Sequence, residues 1–297
     1  MMNVFYSHEY IVENETLETV SKADKVAQRV ERELPGVSLV TAPPITRDEL
    51  LLAHSETYVD AFLTGTPLRL ATGGIASWSE AVRRSVLAST GGVRNAVNEA
   101  LVRGVSGSLS SGLHHARRDS GAGFCTFNGL AIGAVLALQQ GVESVGILDV
   151  DAHCGGGTFD ILGGNSQVRI GDIATSSYDQ WAPVDERHRM KVTGDADSYL
   201  QDVADMLEHL NGVGLLLHNA GMDPLEGSGT GSAAGFSAAL LAERETLVAN
   251  WAQRTGTPVA FVLAGGYAGA NATIDDIVDL HVSTVRAFAG ISSSTEA

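Results

Sequence analysis

An α/β fold with a central, mainly parallel β-sheet and helices on both faces is predicted by two observations. Short apolar runs of strand length alternate with longer segments of helical periodicity. The runs are continuously apolar, the pattern of strands buried on both sides. Strand–helix–strand successions make right-handed crossovers, which lay the strands parallel. In such sheets ligands bind beyond the carboxyl ends of the strands. The residues that follow each apolar run are therefore the first candidates for function.

The elements follow in order. A helical pattern spans Leu17–Glu33 and a second spans Ser77–Arg103, where the Gly91-Gly92 pair is expected to bend or interrupt it. A weak strand at Ser106–Leu109 precedes a Gly-flanked loop, and a helix at Leu130–Gln139 leads into the strand Val145–Leu148. A weak strand at Val168–Ile170, a helix at Ser198–Leu210 and a strand at Val213–Leu217 come next. A helix at Ala234–Gln253, a strand at Val259–Leu263 and a helix at Ile274–Ala289 complete the set. No Pro/Gly/Ser-rich linker divides the chain, so residues 1–290 are expected to form one domain and residues 291–297 a frayed tail.

Composition narrows the function. The chain has 297 residues, 44% of them hydrophobic, enough to bury a sizeable core. A net charge of −16 repels phosphate backbones, which argues against nucleic acid and would suit a cationic substrate. No apolar run approaches the roughly 20 residues of a membrane helix, and Met1–His8 does not look like a secretory signal. Both point to the cytoplasm and away from membranes. Cys125 and Cys154 make no disulfide framework and no C-x-x-C zinc motif.

Four strand ends carry unusual residues. One apolar run leads into Asp149-Val150-Asp151-Ala152-His153, where period-two alternation points Asp149, Asp151 and His153 the same way while the chain stays extended. Adjacent buried carboxylates persist as anions only with a cation or good donors. Another run leads to Asp223. Taken alone, an Asp before Pro224 is a turn residue; as a third ligand it completes an Asp/His/Asp set with an open position, the pattern of a catalytic zinc. A third run ends in Gly265-Gly266-Tyr267, whose phenol could donate to a developing oxyanion. The loop Ser111-Gly112-Leu113-His114-His115-Ala116 carries paired histidines. Alone they read as surface residues; beside a metal they could be a general base and an electrostatic helper.

Together the segments Gly112-Leu113-His114-His115-Ala116 with Gly123-Phe124-Cys125-Thr126-Phe127-Asn128, Leu148-Asp149-Val150-Asp151-Ala152-His153, Ala220-Gly221-Met222-Asp223-Pro224-Leu225 and Ala264-Gly265-Gly266-Tyr267 resemble, in order, the signatures of the histone deacetylase / acetylpolyamine amidohydrolase superfamily. The stretch Asp48–Val59 is similar too, so the likeness runs over roughly residues 40–270. The resemblance implies an arginase/deacetylase-like fold and a zinc-dependent amidohydrolase acting on an N-acyl amide such as an acetylated lysine, polyamine or other small amine. It implies one Zn2+ held by Asp151, His153 and Asp223. It makes His115 the general base and then acid, His114 its electrostatic partner, and Tyr267 the residue that polarises the acyl carbonyl. Asp149 orients His114, and Gly123 and Phe124 line the acyl tunnel. A structural K+ or Na+ is expected near Asp149, Asp151, His153 and, by a looser match, Asp172. Assembly into a homo-oligomer stays open.

Three departures stand out. Gly156 replaces the Asp or Asn that in the family hydrogen-bonds the base histidine, which should lower the basicity of His115 and loosen it unless another group substitutes. Pro67–Ser77 has no counterpart of the acidic residue that clamps peptide-like substrates, and Ala174 stands where a histidine is usual. Two other readings follow. A binding or regulatory protein on a weakened deacetylase site is motivated by Gly156. An arginase-type binuclear manganese ureohydrolase shares the fold but would need carboxylates where Gly155 stands and two residues after Asp223. Tyr178 and Trp181 are expected either to line the tunnel mouth or to pack in the core, and Gly227–Gly231 to form a flexible loop.

Overall fold

The computed structural model describes residues 1–12 and 18–292. The elements run β1 (Met2–Phe5), α1 (Glu18–Glu33), β2 (Val37–Val40), α2 (Arg47–Leu50), α3 (Glu56–Thr64), α4 (Leu68–Ala71), α5 (Glu80–Arg103), β3 (Val105–Ser108) and α6 (Gly129–Gln139). They continue with β4 (Val145–Asp149), α7 (Gly156–Leu162), β5 (Val168–Ala174), β6 (His188–Val192), α8 (Ala196–His209), β7 (Leu215–Gly221), α9 (Ala238–Thr255), β8 (Val259–Ala264) and α10 (Ile274–Ser292). The strands form one eight-stranded sheet in the order β2-β1-β3-β8-β7-β4-β5-β6, with every pairing parallel.

Strand side chains alternate between two cores because the pleat has period two. Leu148, Leu216 and Phe261 face the core that α1, α8, α9 and α10 cover, through residues such as Val26, Val203, Val248 and Val282. Ile147, Leu217 and Val262 face the opposite core with Phe62, Val97 and Leu130 from α3, α5 and α6. Helix ends follow local chemistry: the Asn128 side chain accepts from Ala131 N and caps α6, and Gly256 closes α9 at φ 70°. No helix among the described residues is long and apolar enough to cross a membrane.

Several expectations shift. Helix α5 is continuous through Gly91 and Gly92. A Cβ at Gly91 would sit 2.4 Å from the Pro43 carbonyl oxygen, and one at Gly92 would sit 1.8 Å from the Tyr10 hydroxyl. The pair therefore does not interrupt the helix and instead allows close packing against it. Strand β7 begins at Leu215 and reaches Gly221, beyond the apolar run. Its added residues stay buried because they are paired: His218 Nε2 lies 3.0 Å from Glu245 Oε2, and Asn219 Nδ2 donates to Asp149 Oδ1 at 2.8 Å. Strands β1, β2 and β6 were not legible; β6 is a mostly exposed edge with no apolar run. Helix α10 runs through Ser292, so the expected tail starts later; its residues 293–297, like Leu17 of the first predicted helix, lie outside the described residues.

Candidate active site

Because all eight strands are parallel, their carboxyl ends share one edge of the sheet. Neighbouring strands β3, β8, β7 and β4 each send a candidate segment into that edge. His114 and His115 follow β3, Tyr267 follows β8, Asp223 follows β7, and Asp151 and His153 follow β4. Four segments spread over the sequence thus meet at a pocket of about 340 Å³. It is lined by both histidines, Asp151, His153, Asp223, Gly123, Phe124, Cys125, Tyr178 and Tyr267, among others.

Asp151, His153 and Asp223 bring one donor atom each within 4.8 Å of one another. His153 Nδ1 lies 3.1 Å from Asp151 Oδ1 and 3.1 Å from Asp223 Oδ2. The carboxylates are buried, whereas His153 keeps 19% of its side chain exposed, toward the pocket. Burial opposes ionisation of Asp151, but the His114 and His153 charges outweigh it and hold this carboxyl well below its usual range. Burial and the Asp151 carboxylate push Asp223 up to about 6. Asp223 Oδ1 is buried without a hydrogen-bond partner. Gly265, at φ 43°, leaves it room: a Cβ there would lie 1.8 Å from that oxygen. Two carboxylates and an imidazole around an orphaned oxygen are a donor set that fits a metal ion. Glu226, the next carboxylate after Asp223, is exposed and accepts from Gly235 N.

The histidines differ in partners. His114 Nδ1 lies 2.8 Å from Asp149 Oδ2, and its Nε2 lies 3.1 Å from His115 Nε2. Burial disfavours the His114 cation, but Asp149, Asp151 and Asp172 together overcome it and raise its pKa to about 10. His115 is lowered, by burial first and then by the neighbouring His114 charge, with Asp179 opposing. His115 Nδ1 lies 2.9 Å from Asp179 Oδ2. A Cβ at Gly123 would come within 2.4 Å of the His115 ring, so that ring packs directly on the backbone. Asp149 also accepts from Asn219, and its register partners are Asp172 and Asn219.

Asp172 does not line the pocket. Its Oδ2 accepts from Gly155 N and from the Trp181 indole, each at 2.8 Å, while its Oδ1 is buried and unpartnered. Burial and the Asp149 charge raise Asp172 well above the usual range, so this spot favours a proton or a cation. Trp181 is the core alternative: it is buried and stacks on Phe159 at 4.1 Å. Tyr178, 52% exposed, stands edge-on to His115 and His153 at the pocket wall. The Gly227–Gly231 loop packs on the ligand segment, since a Cβ at Gly231 would lie 2.3 Å from Ala152 Cβ.

Three contributors carry no motif. Asp179 sits in a polar loop five residues past β5. The rule that polar residues after a strand matter would have flagged that loop, but not which residue reaches His115. Buried Lys22 donates to the Gly265 and Gly266 carbonyls and lies 5.7 Å from the Tyr267 ring centre. Buried Arg244 donates to Val150 O at 3.2 Å and Gly221 O at 2.9 Å, the backbone beside two of the three clustered ligands.

Comparison with known proteins places this geometry. The histone deacetylase domain matches residues 14–285. An uncharacterised protein of Picosynechococcus sp. is 33% identical over 247 residues, covering 80% of each chain. Histone deacetylase 2 of Arabidopsis thaliana is 27% identical over 76% of this chain, which spans 62% of that protein's length. In fold, an acetylpolyamine aminohydrolase from Burkholderia pseudomallei superposes with a TM-score of 0.81 at 17% identity, covering 98% of this chain and 99% of the other. The match over nearly the whole sequence, on the same parallel sheet, leads to one assignment: the chain belongs to the histone deacetylase family.

Proposed function

We propose that this protein is a zinc-dependent amidohydrolase that converts an N-acyl amine, such as an acetylated lysine, polyamine or other small amine, into a carboxylate and a free amine. The observation that carries the reading is the convergence of Asp151, His153 and Asp223 beside His115 in one open pocket. One Zn2+ held by those three residues would supply Lewis-acid polarisation of the amide carbonyl and a lowered pKa for water. His115 is kept neutral near neutral pH by burial and the His114 charge, so its Nε2 can take a proton from the attacking water. It then returns that proton to the amine nitrogen as the C–N bond breaks. The Tyr267 hydroxyl donates to the oxygen that gains negative charge. Gly123, Phe124 and Tyr178 wall the pocket, grip an alkyl chain and exclude water. A K+ or Na+ beside Asp149 and Asp172 would neutralise the charge pair beneath His114. The net charge of −16 favours a cationic amine. The free, buried cysteines suit the cytoplasm, and the described residues, including 1–12 and 18–290, act as one catalytic domain.

The test is a panel of N-acetylputrescine, N-acetylcadaverine and a short acetyllysine peptide with the zinc-loaded protein. Acetate release from at least one, lost with chelator and restored by one equivalent of zinc, is expected. No release from any of them, with tight binding retained, would favour the binding-protein reading instead.

A further inference from the structure

The position expected to supply a carboxylate to His115 is Gly156, the first residue of α7. The space beside it is filled from elsewhere. A Cβ at Gly156 would lie 2.4 Å from the Asp179 carbonyl oxygen and 2.5 Å from Asp179 Oδ1. An aspartate at 156 and the present Asp179 are therefore mutually exclusive in this arrangement. Asp179 comes from the loop after β5, whereas Gly156 follows β4, yet the Asp179 Oδ2 reaches His115 Nδ1 at 2.9 Å. We propose that Asp179 is the positioning residue of His115, a carboxylate moved to a new place in the chain to serve the same imidazole. The proposal rests on the reading of His115 as the proton carrier.

The surroundings hold Asp179 for that task. Its side chain is only 10% exposed, so the hydrogen bond is little weakened by water. Its other oxygen is bound by the Arg117 guanidinium, which also donates to Gly156 O at 3.1 Å and so ties the two competing positions together. The loop is anchored to the ligand segment: Thr175 N and Ser176 N donate to Ala152 O, and Cys154 N donates to Tyr178 O at 3.0 Å. Asp179 adopts φ 61°, a left-handed conformation uncommon outside glycine but better tolerated by aspartate. An acceptor at Nδ1 keeps the proton there, which makes Nε2, 3.1 Å from His114 Nε2, the unprotonated nitrogen. The carboxylate also stabilises the imidazolium formed when Nε2 takes a second proton.

The first test needs no turnover. In the zinc-loaded, 15N-histidine-labelled protein, His115 should show a protonated Nδ1 and an unprotonated Nε2. Asp179→Ala should shift the Nδ1 resonance toward the unprotonated position as the tautomers mix. The second test is kinetic, on the best substrate of the panel. Asp179→Ala should lower kcat about 10–100-fold, with KM changed little and one zinc retained. Alanine also frees Arg117 and can loosen the loop, so Asp179→Asn is measured beside it. Asparagine keeps the shape but not the charge, and a kcat lowered several-fold with zinc retained supports the proposal. Wild-type kcat in both single variants, or His115 protonated at Nε2 rather than Nδ1 in the wild type, overturns it. If the wild type hydrolyses nothing on the panel, the amidohydrolase reading fails on its own. The His115 resonances then still decide whether Asp179 fixes the imidazole.

Discussion

Replacing Arg244 with methionine tests how the ligand-bearing strand ends are held. The guanidinium is fully buried and donates to Glu245 Oε1 at 2.7 Å, to Tyr199 Oη at 3.2 Å, and to the carbonyls of Val150 and Gly221. Val150 directly precedes Asp151, and Gly221 lies two residues before Asp223. Methionine fills similar volume but leaves the Glu245 carboxylate without its cation and two carbonyls without donors. Breaking a buried ion pair from one side costs about 3–5 kcal/mol. At about 2–3 °C per kcal/mol for a chain of this size, Tm should fall by about 6–15 °C. Zinc affinity should fall about 10–100-fold, because the backbone that presents the ligands loses its tether. Scanning calorimetry and chelator competition measure the two effects. The double variant Arg244→Met/Glu245→Met removes the orphaned charge but also the partner of His218 Nε2, so it should recover part of the stability and none of the zinc affinity. A single variant that melts within 2 °C of the wild type and binds zinc equally well would refute the reasoning.

Further outcomes follow from the same geometry. Tyr267→Phe should lower kcat about 10²–10³-fold with the fold intact, read by steady-state kinetics and circular dichroism; unchanged turnover removes the phenol from the reaction. Zinc at 100 times its Kd should stabilise by about 2.7 kcal/mol and raise Tm by about 5–8 °C. Asp223→Asn should abolish that rise without lowering the melting temperature of the metal-free protein, since it relieves repulsion between two buried carboxylates. His54 should make stability pH-dependent. Burial, partly offset by its bond to the Arg117 carbonyl, lowers it to about 4, and it accepts from Asn128 N at 2.9 Å. Its folded pKa lies below the unfolded value of about 6.5, so its contribution is present above pH 6.5 and is lost as pH falls toward 4, at up to about 1.4 kcal/mol per pH unit. Urea midpoints at pH 7 and pH 5 should therefore differ less in His54→Gln than in the wild type; an equal difference rules the residue out.

The central sheet was largely legible because its signal is local. Continuous apolar runs mark strands β4, β7 and β8, Arg169 weakens the signal of β5, and the residues just beyond β4 and β7 include the donor set of Asp151, His153 and Asp223. The edge strands β2 and β6 escaped because an edge buries too little side chain to demand an apolar run. Gly91-Gly92 read as a break because propensity is local, whereas the contacts that require glycine there, with Pro43 and Tyr10, come from distant segments.

The sequence alone determined the residue types at the strand ends and, through the succession of continuously apolar runs and helical segments, the class of fold they sit on. Strand order was decided only in three dimensions: β8 inserts between β3 and β7, which carries Tyr267 to the paired histidines. The partner of His115 was decided the same way. Gly156 reads as a lost carboxylate along the chain, and Asp179 has no local signature that says it fills the gap. Its role is a matter of 2.9 Å between residues 64 positions apart, set by the packing of two loops against one sheet edge rather than by anything adjacent in the chain.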